Sequence, residues 1–144
     1  MINPNIIIDA SILAKWFLPG EESAEIALRI KDDFAQGTVS IMLPSLIYYE
    51  INNLLKSAAV SMRIDPKKAL KIYGDFLDLD FEIYATKELL KSTLDYAIKY
   101  DISSYDASYV ALAEYLQRPL FTADKNLLNK VKNKFVFSLE KYPQ

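Results

Sequence analysis

Four carboxylate side chains occupy positions where exposure to solvent is a poor explanation for an acid. Asp9 directly follows an apolar run of three isoleucines, and Asp124 follows another predicted strand. Glu50 borders the apolar stripe of a predicted long helix, and Asp106 lies in the first turn of a helix whose next turn is apolar on the same side. Because burying an unpartnered carboxylate costs several kcal/mol, we examined what these four acids have in common.

Each acid also has an ordinary structural explanation. Asp9, Asp106 and Asp124 can cap helix N-termini, where a carboxylate accepts hydrogen bonds from free backbone amides. Glu50 can lie at the rim of its helix and pair with a lysine. These alternatives stay open for each residue alone. Together, however, the acids fall at one edge of the predicted sheet, where they repel one another unless a cation compensates their charge.

The sequence contains no histidine and no cysteine. This excludes Ser-His-Asp triads, thiol nucleophiles, and metal sites with imidazole or thiolate ligands. A bound metal would have oxygen ligands only, which favours the hard ions Mg²⁺ or Mn²⁺. Such an ion activates water and stabilises charge on a phosphoryl group. Ser11 and Thr122, each two residues from one of the acids, can orient a ligand carboxylate or a metal-bound water, or merely cap helices.

Length and composition fit one globular domain spanning residues 1–144, with 51% hydrophobic and 25% charged residues. The net charge of −2 does not indicate a nucleic-acid partner. Binding of a nucleic acid would need a local basic patch. The N-terminal residues lack the basic region of a signal peptide, and no apolar run approaches the ~18 residues of a transmembrane helix. We therefore expect a cytoplasmic protein with no membrane partner.

Strands and helices alternate along the whole chain. Hydrophobic runs and turn residues predict strands over 5–9, 39–43, 81–84, 119–122 and 135–138. Helical spacing and capping residues predict helices over 11–18 (closed by Pro19-Gly20), 21–34, 45–62, 66–77, 87–100, 103–117 and 124–132. This alternation predicts an α/β fold in which helices cover both faces of a parallel sheet.

Four sequence motifs resemble the PIN-domain family, and more narrowly the VapC-type toxin ribonucleases of toxin–antitoxin pairs. They are Ile-Ile-Ile-Asp-Ala-Ser at 6–11, Pro-Ser-Leu-Ile-Tyr-Tyr-Glu-Ile-Asn-Asn at 44–53, Ser-Ser-Tyr-Asp-Ala-Ser-Tyr-Val-Ala-Leu-Ala at 103–113 and Leu-Phe-Thr-Ala-Asp-Lys-Asn-Leu at 120–127. Each motif alone is weak. Occurring in this order across essentially the full chain, the four make a specific match.

The resemblance implies a three-layer α/β/α fold whose five-stranded parallel sheet has the order 3-2-1-4-5. It implies an Mg²⁺- or Mn²⁺-dependent endoribonuclease whose acidic quartet falls on the four acids named above. Asp9, Asp106 and Asp124 would ligate the metal, while Glu50 would ligate it or help to deprotonate the attacking water. The products would carry a 5′-phosphate and a 3′-hydroxyl. The supporting polar positions would be Ser11, Asn53 and Thr122.

The same resemblance implies two protein partners besides the RNA substrate: a small VapB-like antitoxin and a second copy of the chain. The residues 16–18 (Trp-Phe-Leu) are expected to form a dimer or antitoxin surface. Tyr105 and Tyr109 are expected in the core or an interface rather than stacked on bases. The candidate phosphate contacts are Lys15, Arg63, Lys67, Lys68, Lys125 and Lys130.

Other functions compete with the toxin hypothesis. A PIN nuclease that serves RNA processing or decay would have the same motifs. A silent binding module, in which the acids only cap helices, would tolerate Asn or Gln at all four positions. A phospho-receiver domain is disfavoured, because it needs an adjacent acidic pair after the first strand and a lysine after the last. Here Asp9 lies between Ile8 and Ala10, and the last strand continues as Phe137-Ser138-Leu139.

Overall fold

Five parallel strands form one sheet in the computed structural model, which describes residues 4–18 and 20–144. The strands are β1 (Asn5–Ile8), β2 (Ser40–Pro44), β3 (Glu82–Tyr84), β4 (Leu120–Thr122) and β5 (Val136–Ser138). Their order across the sheet is β3-β2-β1-β4-β5. The expected fold class and strand order are confirmed. The residues 1–3, used in the argument on signal peptides, and Pro19, at which the first helix was expected to close, lie outside the described residues.

The central strand β1 is buried because its three isoleucines have neighbours on both sides. Ile6 pairs with Ile41 of β2, while Ile7 and Ile8 pair with Leu120 and Phe121 of β4. Ile7 and Ile8 are completely buried. A β-branched run of this kind suits a strand covered on both faces. It also fixes the point at which the chain leaves the sheet, directly before Asp9.

Seven α-helices surround the sheet in the described part of the chain. They are α1 (Ala10–Phe17), α2 (Ala24–Ala35), α3 (Ile47–Val60), α4 (Pro66–Leu77), α5 (Lys87–Tyr100), α6 (Ser104–Leu116) and α7 (Lys125–Lys130). Helix α6 packs on β1, β2 and β4, and α5 packs on α6. Helix α1 packs on α2, α3 and β4, and α3 packs on α4. Within the described residues, none of these helices combines the length and the apolar character needed to cross a membrane.

Most helix boundaries lie within one or two residues of those predicted, and two predicted caps are confirmed. The Asp65 side chain accepts from the Lys67 amide at 2.8 Å, and Ser103 accepts from the Asp106 amide at 3.0 Å. The start of α2 was predicted too early, at residue 21. The helix begins at Ala24 because the preceding residue, Ser23, has a left-handed backbone with φ of 53°.

The expectation that residues 16–18 form an exposed partner surface is wrong. Trp16 and Leu18 are each only 6% exposed. The Trp16 ring lies 6.3 Å from that of Phe81, and Phe17 packs edge-on against Phe76 at 5.6 Å. Helix α1 is enclosed by α2, α3 and the sheet, so its large apolar residues are part of the core.

Candidate active site

The carboxyl ends of β1 and β4 bring two of the four acids to one edge of the sheet. Asp9 directly follows β1, and Asp124 lies two residues beyond the end of β4. Because the two strands are parallel neighbours, the segments that follow them leave the sheet side by side. Each aspartate also caps the helix that follows it, so the structural role considered above and a functional role coexist at the same residues.

Asp9 is held by hydrogen bonds from two different segments of the chain. Its carboxylate accepts from the Ser11 amide at 3.1 Å, from the Ser11 hydroxyl, and from the Thr122 hydroxyl on β4. Those hydroxyls in turn accept from backbone amides, Ser11 from Ala123 and Thr122 from Asp124, each at 3.0 Å. Ser11 and Thr122 therefore orient the carboxylate of Asp9, one of the two roles considered for them.

Burial raises the pKa of Asp9 from 3.8 to about 6. The hydrogen bonds from Ser11 and Thr122 oppose this shift, while the negative charge of Asp106 adds to it. Only 5% of the residue is exposed. Because Asp9 is buried and faces another carboxylate, its ionised form is stabilised only by the hydroxyl and amide groups that donate to it.

Glu50 lies in the first turn of α3 and bonds to a residue of α6. The Tyr109 hydroxyl donates to Glu50 Oε1. The pKa of Glu50 is raised from 4.5 to about 7, mainly by burial. The hydrogen bond from Tyr109 opposes this shift, while the charges of Asp9 and Asp106 add to it. Neither ion pair found among the described residues involves Glu50, so the alternative of a rim carboxylate paired with a lysine is not supported.

Asp106 and Asp124 complete the group. Burial raises the pKa of Asp106, and the negative charge of Asp124 contributes to the shift. Asp124 accepts from the amides of Asn126 and Leu127 at 2.9 and 3.2 Å. The electrostatic couplings run from Glu50 to Asp9 and Asp106, from Asp9 to Asp106, and from Asp106 to Asp124. The structure thus brings all four predicted acids into one electrostatic group.

A cleft of about 930 Å³ opens beside Glu50. Asn53, one turn further along α3, lines it together with Arg63, Tyr49 and Tyr105. Asn53 is exposed and makes no described hydrogen bond to the acids, so the structure places it near the site without giving it a role.

The predicted phosphate contacts have different surroundings. Lys15 and Lys125 line a second cavity of about 190 Å³ next to Ala123. Lys67 and Lys68 are exposed in the first turn of α4 and line neither cavity. Lys130 is engaged elsewhere. Its ammonium group donates to the backbone carbonyl of Asp101 at 2.8 Å and lies 3.8 Å from that residue's carboxylate.

Tyr109 is a site residue that sequence reasoning missed. It is 1% exposed, as expected for a core residue, yet its hydroxyl reaches Glu50. The only signal in the sequence is its position one turn after Asp106 on the same helix. Tyr105, by contrast, is 62% exposed at the cleft, which excludes it from the core.

The four acids offer the type of ligand that a hard divalent cation prefers. All four groups are carboxylates, three of them have raised pKa values, and none is in an ion pair among the described residues. Within that part of the chain, no three acidic side chains converge closely enough to hold an ion in their present positions. Asp9, Glu50, Asp106 and Asp124 thus have the donor type of a hard-cation site, and they would have to move closer together to hold an ion.

Comparison with known proteins gives a consistent result. A family model for the PIN domain matches residues 6–134. Ribonuclease VapC3 of Pyrobaculum aerophilum is 31% identical over 129 residues, which cover 87% of this chain and 93% of that protein. Ribonuclease VapC12 of Mycobacterium tuberculosis is 26% identical over 122 residues, covering 85% of this chain and 88% of the relative.

Solved structures agree with these matches. The crystal structure of PAE2754 from Pyrobaculum aerophilum aligns with a TM-score of 0.68 and 27% identity, over 96% of this chain and 93% of that one. VapBC2 from Rickettsia felis, solved with a DNA fragment from its promoter, aligns with a TM-score of 0.66 over 93% of this chain and 98% of that one. At 11% identity, the second match establishes the fold alone.

Proposed function

The chain belongs to the PIN-domain family, and on that premise we propose that it is an endoribonuclease, the VapC-like toxin of a toxin–antitoxin pair. The observation that carries this proposal is the group of four carboxylates at the carboxyl edge of the sheet. Burial and mutual repulsion raise the pKa of three of them, and no basic side chain is paired with any of them in the described residues. Acids that repel one another lower the stability of the fold, so this arrangement is typical of a functional site.

Ribonucleases of this family generally depend on divalent metal ions. The ion we propose here is Mg²⁺ or Mn²⁺, because oxygen is the only ligand type that the four acids offer. When bound, the ion would lower the pKa of a water molecule and stabilise negative charge on the phosphoryl group.

The chain's own residues would prepare the reaction. Ser11 and Thr122 fix the Asp9 carboxylate, and Asp124 is fixed by the amides of α7. Glu50, whose carboxylate lies beside Asp9 and Asp106, would act as the general base that takes a proton from the attacking water. The Tyr109 hydroxyl holds Glu50 in place for that transfer. Hydrolysis would leave a 5′-phosphate and a 3′-hydroxyl.

Cleavage of labelled RNA tests the activity. We expect the purified protein to cut RNA with Mg²⁺ or Mn²⁺, to be inactive in EDTA, and to be inactive as an Asp9→Asn, Asp106→Asn double variant. Mapping of the product ends should find 5′-phosphates. Cutting that survives both substitutions would indicate a contaminating nuclease, and tolerance of Asn and Gln at all four acids would support the silent binding module.

Expression in cells separates a toxin from a nuclease of RNA processing. We expect wild-type protein to arrest growth, the double variant to be harmless, and co-expression of a small VapB-like antitoxin to relieve the arrest. We place both proteins in the cytoplasm, where the RNA is. Growth that continues despite confirmed RNA cleavage would favour the processing or decay nuclease.

A second copy of the chain is the other proposed partner, and helix α5 offers the surface. Leu90, Leu94 and Ile98 form one stripe and are 65%, 58% and 73% exposed. Lys87 and Asp101 lie equally far in sequence from Leu94, so a two-fold axis at Leu94 would place opposite charges together.

Charge exchange tests this pairing. Lys87→Glu alone should shift the protein toward monomer in light scattering, and combining it with Asp101→Lys should restore the dimer. A dimer that Lys87→Glu does not weaken would contradict the proposed surface.

A further inference from the structure

Two exposed tyrosines lie directly beside the acidic group. Tyr49 precedes Glu50 in the first turn of α3, and Tyr105 precedes Asp106 in the first turn of α6. The tyrosines are 78% and 62% exposed, and both line the cleft of about 930 Å³ that opens beside Glu50. Two different helices therefore bring one aromatic ring each to the same cleft, next to two of the four acids.

The fold does not use these two rings. Within residues 4–18 and 20–144, neither side chain forms a hydrogen bond or packs against another aromatic ring. Their neighbours along the chain differ. The Tyr48 ring packs edge-on against Phe76 at 5.9 Å, and the buried Tyr109 donates to Glu50. Large exposed rings that line a cleft without a role in the core are typical of a binding surface.

Neutral polar side chains continue the same wall of the cleft. Asn53 and Ser57 follow Tyr49 at intervals of four residues, so the three lie in one row along α3. Both are exposed, and neither side chain forms a hydrogen bond in the described part of the chain. An amide and a hydroxyl each both donate and accept hydrogen bonds. A ring followed by such groups suits a nucleobase, which stacks through its face and bonds through its edge.

We propose that this cleft receives an unpaired base of the RNA next to the cleaved bond. The base stacks on Tyr49 and Tyr105, and its edge bonds to Asn53 and Ser57. A base inside a duplex is already stacked and paired, so the substrate class is RNA in which this nucleotide is single-stranded or lies in a loop. The inference rests on the proposed ribonuclease function, because it names the class of its substrate.

Substitution of the tyrosines tests the stacking. With an RNA oligonucleotide whose cleaved bond has been mapped, Tyr49→Leu and Tyr105→Leu should each lower kcat/KM by about 5- to 30-fold. Tyr49→Phe and Tyr105→Phe should cleave like wild type, because stacking needs the ring and not the hydroxyl. Tyr115→Leu is the matched control, since Tyr115 is 59% exposed on α6 and does not line the cleft.

RNA with a single missing base separates stacking from a general loss of activity. In a series of oligonucleotides, each with one abasic nucleotide near the cleaved bond, one position should lower cleavage by wild type. On that RNA the two leucine variants should cause no further loss. Calorimetric titration with Mn²⁺ should give wild-type affinity for both variants, because the tyrosines are not metal ligands.

The polar row should affect the choice of base and not the stacking. Asn53→Ala should reduce the preference among the four bases at the position found with the abasic series, because it removes hydrogen bonds to the base edge. The leucine variants should lower cleavage of all four RNAs by similar factors, since every base has a face that stacks. The same RNA annealed to its complement should resist cleavage by wild type.

The outcomes separate this inference from the function on which it rests. If wild type cleaves RNA and both leucine variants cleave it equally well, the stacking role is overturned. A loss that is just as large on every abasic RNA overturns it too. Variants that cleave normally but escape inhibition by a VapB-like antitoxin would assign the cleft to a protein partner instead. If wild type cleaves no RNA with Mg²⁺ or Mn²⁺, the proposed function itself fails, and the inference fails with it.

Discussion

The two ends of the sheet differ in the groups that surround their acids. At the amino-terminal end, Asp33 accepts from the Tyr142 hydroxyl at 2.5 Å and shares a cavity with Arg29 and Arg118. At the carboxyl end, Asp9 also accepts from hydroxyl groups, yet the charges nearest to it are those of other acids. Hydroxyl donors occur at both ends. The charged groups that raise the pKa of Asp9 and Glu50 are other acids, whereas Asp33 shares its cavity with two arginines.

This difference supports the proposal that the carboxyl end is the functional one. An acid with a hydroxyl donor and a guanidinium group nearby adds to stability, because its charge is compensated within the protein. A group of acids without such a partner costs stability until something from outside supplies the charge. The acids of the carboxyl end are therefore better explained by a ligand than by the fold.

The largest expected effect is on catalysis. It is expected when an acid is neutralised at the carboxyl end of the sheet and not when one is neutralised at the amino-terminal end. Asp9→Asn should lower RNA cleavage by about 10³-fold, because it removes a proposed metal ligand, which would contribute several kcal/mol in the transition state. Asp33→Asn should leave cleavage near the wild-type rate. Single-turnover cleavage assays measure both, and equal losses in the two variants would remove the distinction between the two ends.

The next effect concerns the hydroxyl that holds Asp9. Thr122→Val keeps the shape of the side chain but removes its hydrogen bond to Asp9, so metal affinity should fall by about 10- to 100-fold. Thr93→Val is the matched control, since that buried hydroxyl donates to the Leu89 carbonyl at 2.7 Å, within α5. Calorimetric titration with Mn²⁺ compares the two, and similar losses in both would argue against a specific role for Thr122.

The fold as a whole was more predictable from sequence than the packing of its helices. The run of three isoleucines and the alternation of strands with helices suffice for a parallel sheet, while the strand order came from the family resemblance. The exposure of Trp16 was predicted wrongly because it depends on contacts with Phe34 and Phe81, which lie far away in sequence. No periodicity within one short helix contains that information.

The four acids could be found from sequence because each lies at the end of a strand or in the first turn of a helix. The local role of Asp9 and Asp124 as caps could be predicted as well, and it does not exclude their grouping with the other two acids. Asp106 is not a cap, since Ser103 caps its helix. The bond from Tyr109 to Glu50 could not be predicted, since it joins two helices that the sequence alone does not place side by side. The assignment of these residues to catalysis and metal binding stays a prediction.

A smaller effect is expected on stability and its dependence on pH. Since the pKa of Glu50 rises from 4.5 to about 7 on folding, the native protein binds more protons than the unfolded chain in that range. The free energy of unfolding of metal-free protein should therefore fall as pH rises from about 4.5 to 7. Glu50→Gln should remove this loss and be more stable than wild type by about 1–2 kcal/mol at pH 8, allowing for solvent screening.

Urea unfolding in EDTA at several pH values measures this effect. Glu88→Gln, an exposed substitution on α5, should keep the wild-type dependence on pH and serves as the control. If Glu50→Gln is less stable than wild type at pH 8, then Glu50 contributes to the stability of the fold, and the contrast between the two ends is lost.

The smallest effect is expected at the amino-terminal end. Tyr142→Phe removes the hydroxyl that donates to Asp33 and should lower the free energy of unfolding by about 1 kcal/mol. RNA cleavage should stay unchanged, because the substitution lies at the opposite edge of the sheet. Thermal unfolding together with the cleavage assay checks both parts, and a loss of activity without a loss of stability would contradict them.

Titration of the carboxyl groups by carbon NMR, with and without Mg²⁺, tests the central claim most directly. In the absence of metal, Asp9 and Glu50 should titrate with pKa values of about 6 and about 7. Saturating Mg²⁺ should lower both, because a bound cation favours the ionised form. Raised pKa values that Mg²⁺ does not change would contradict the account, since the acids at the carboxyl end would then have no cation to compensate them.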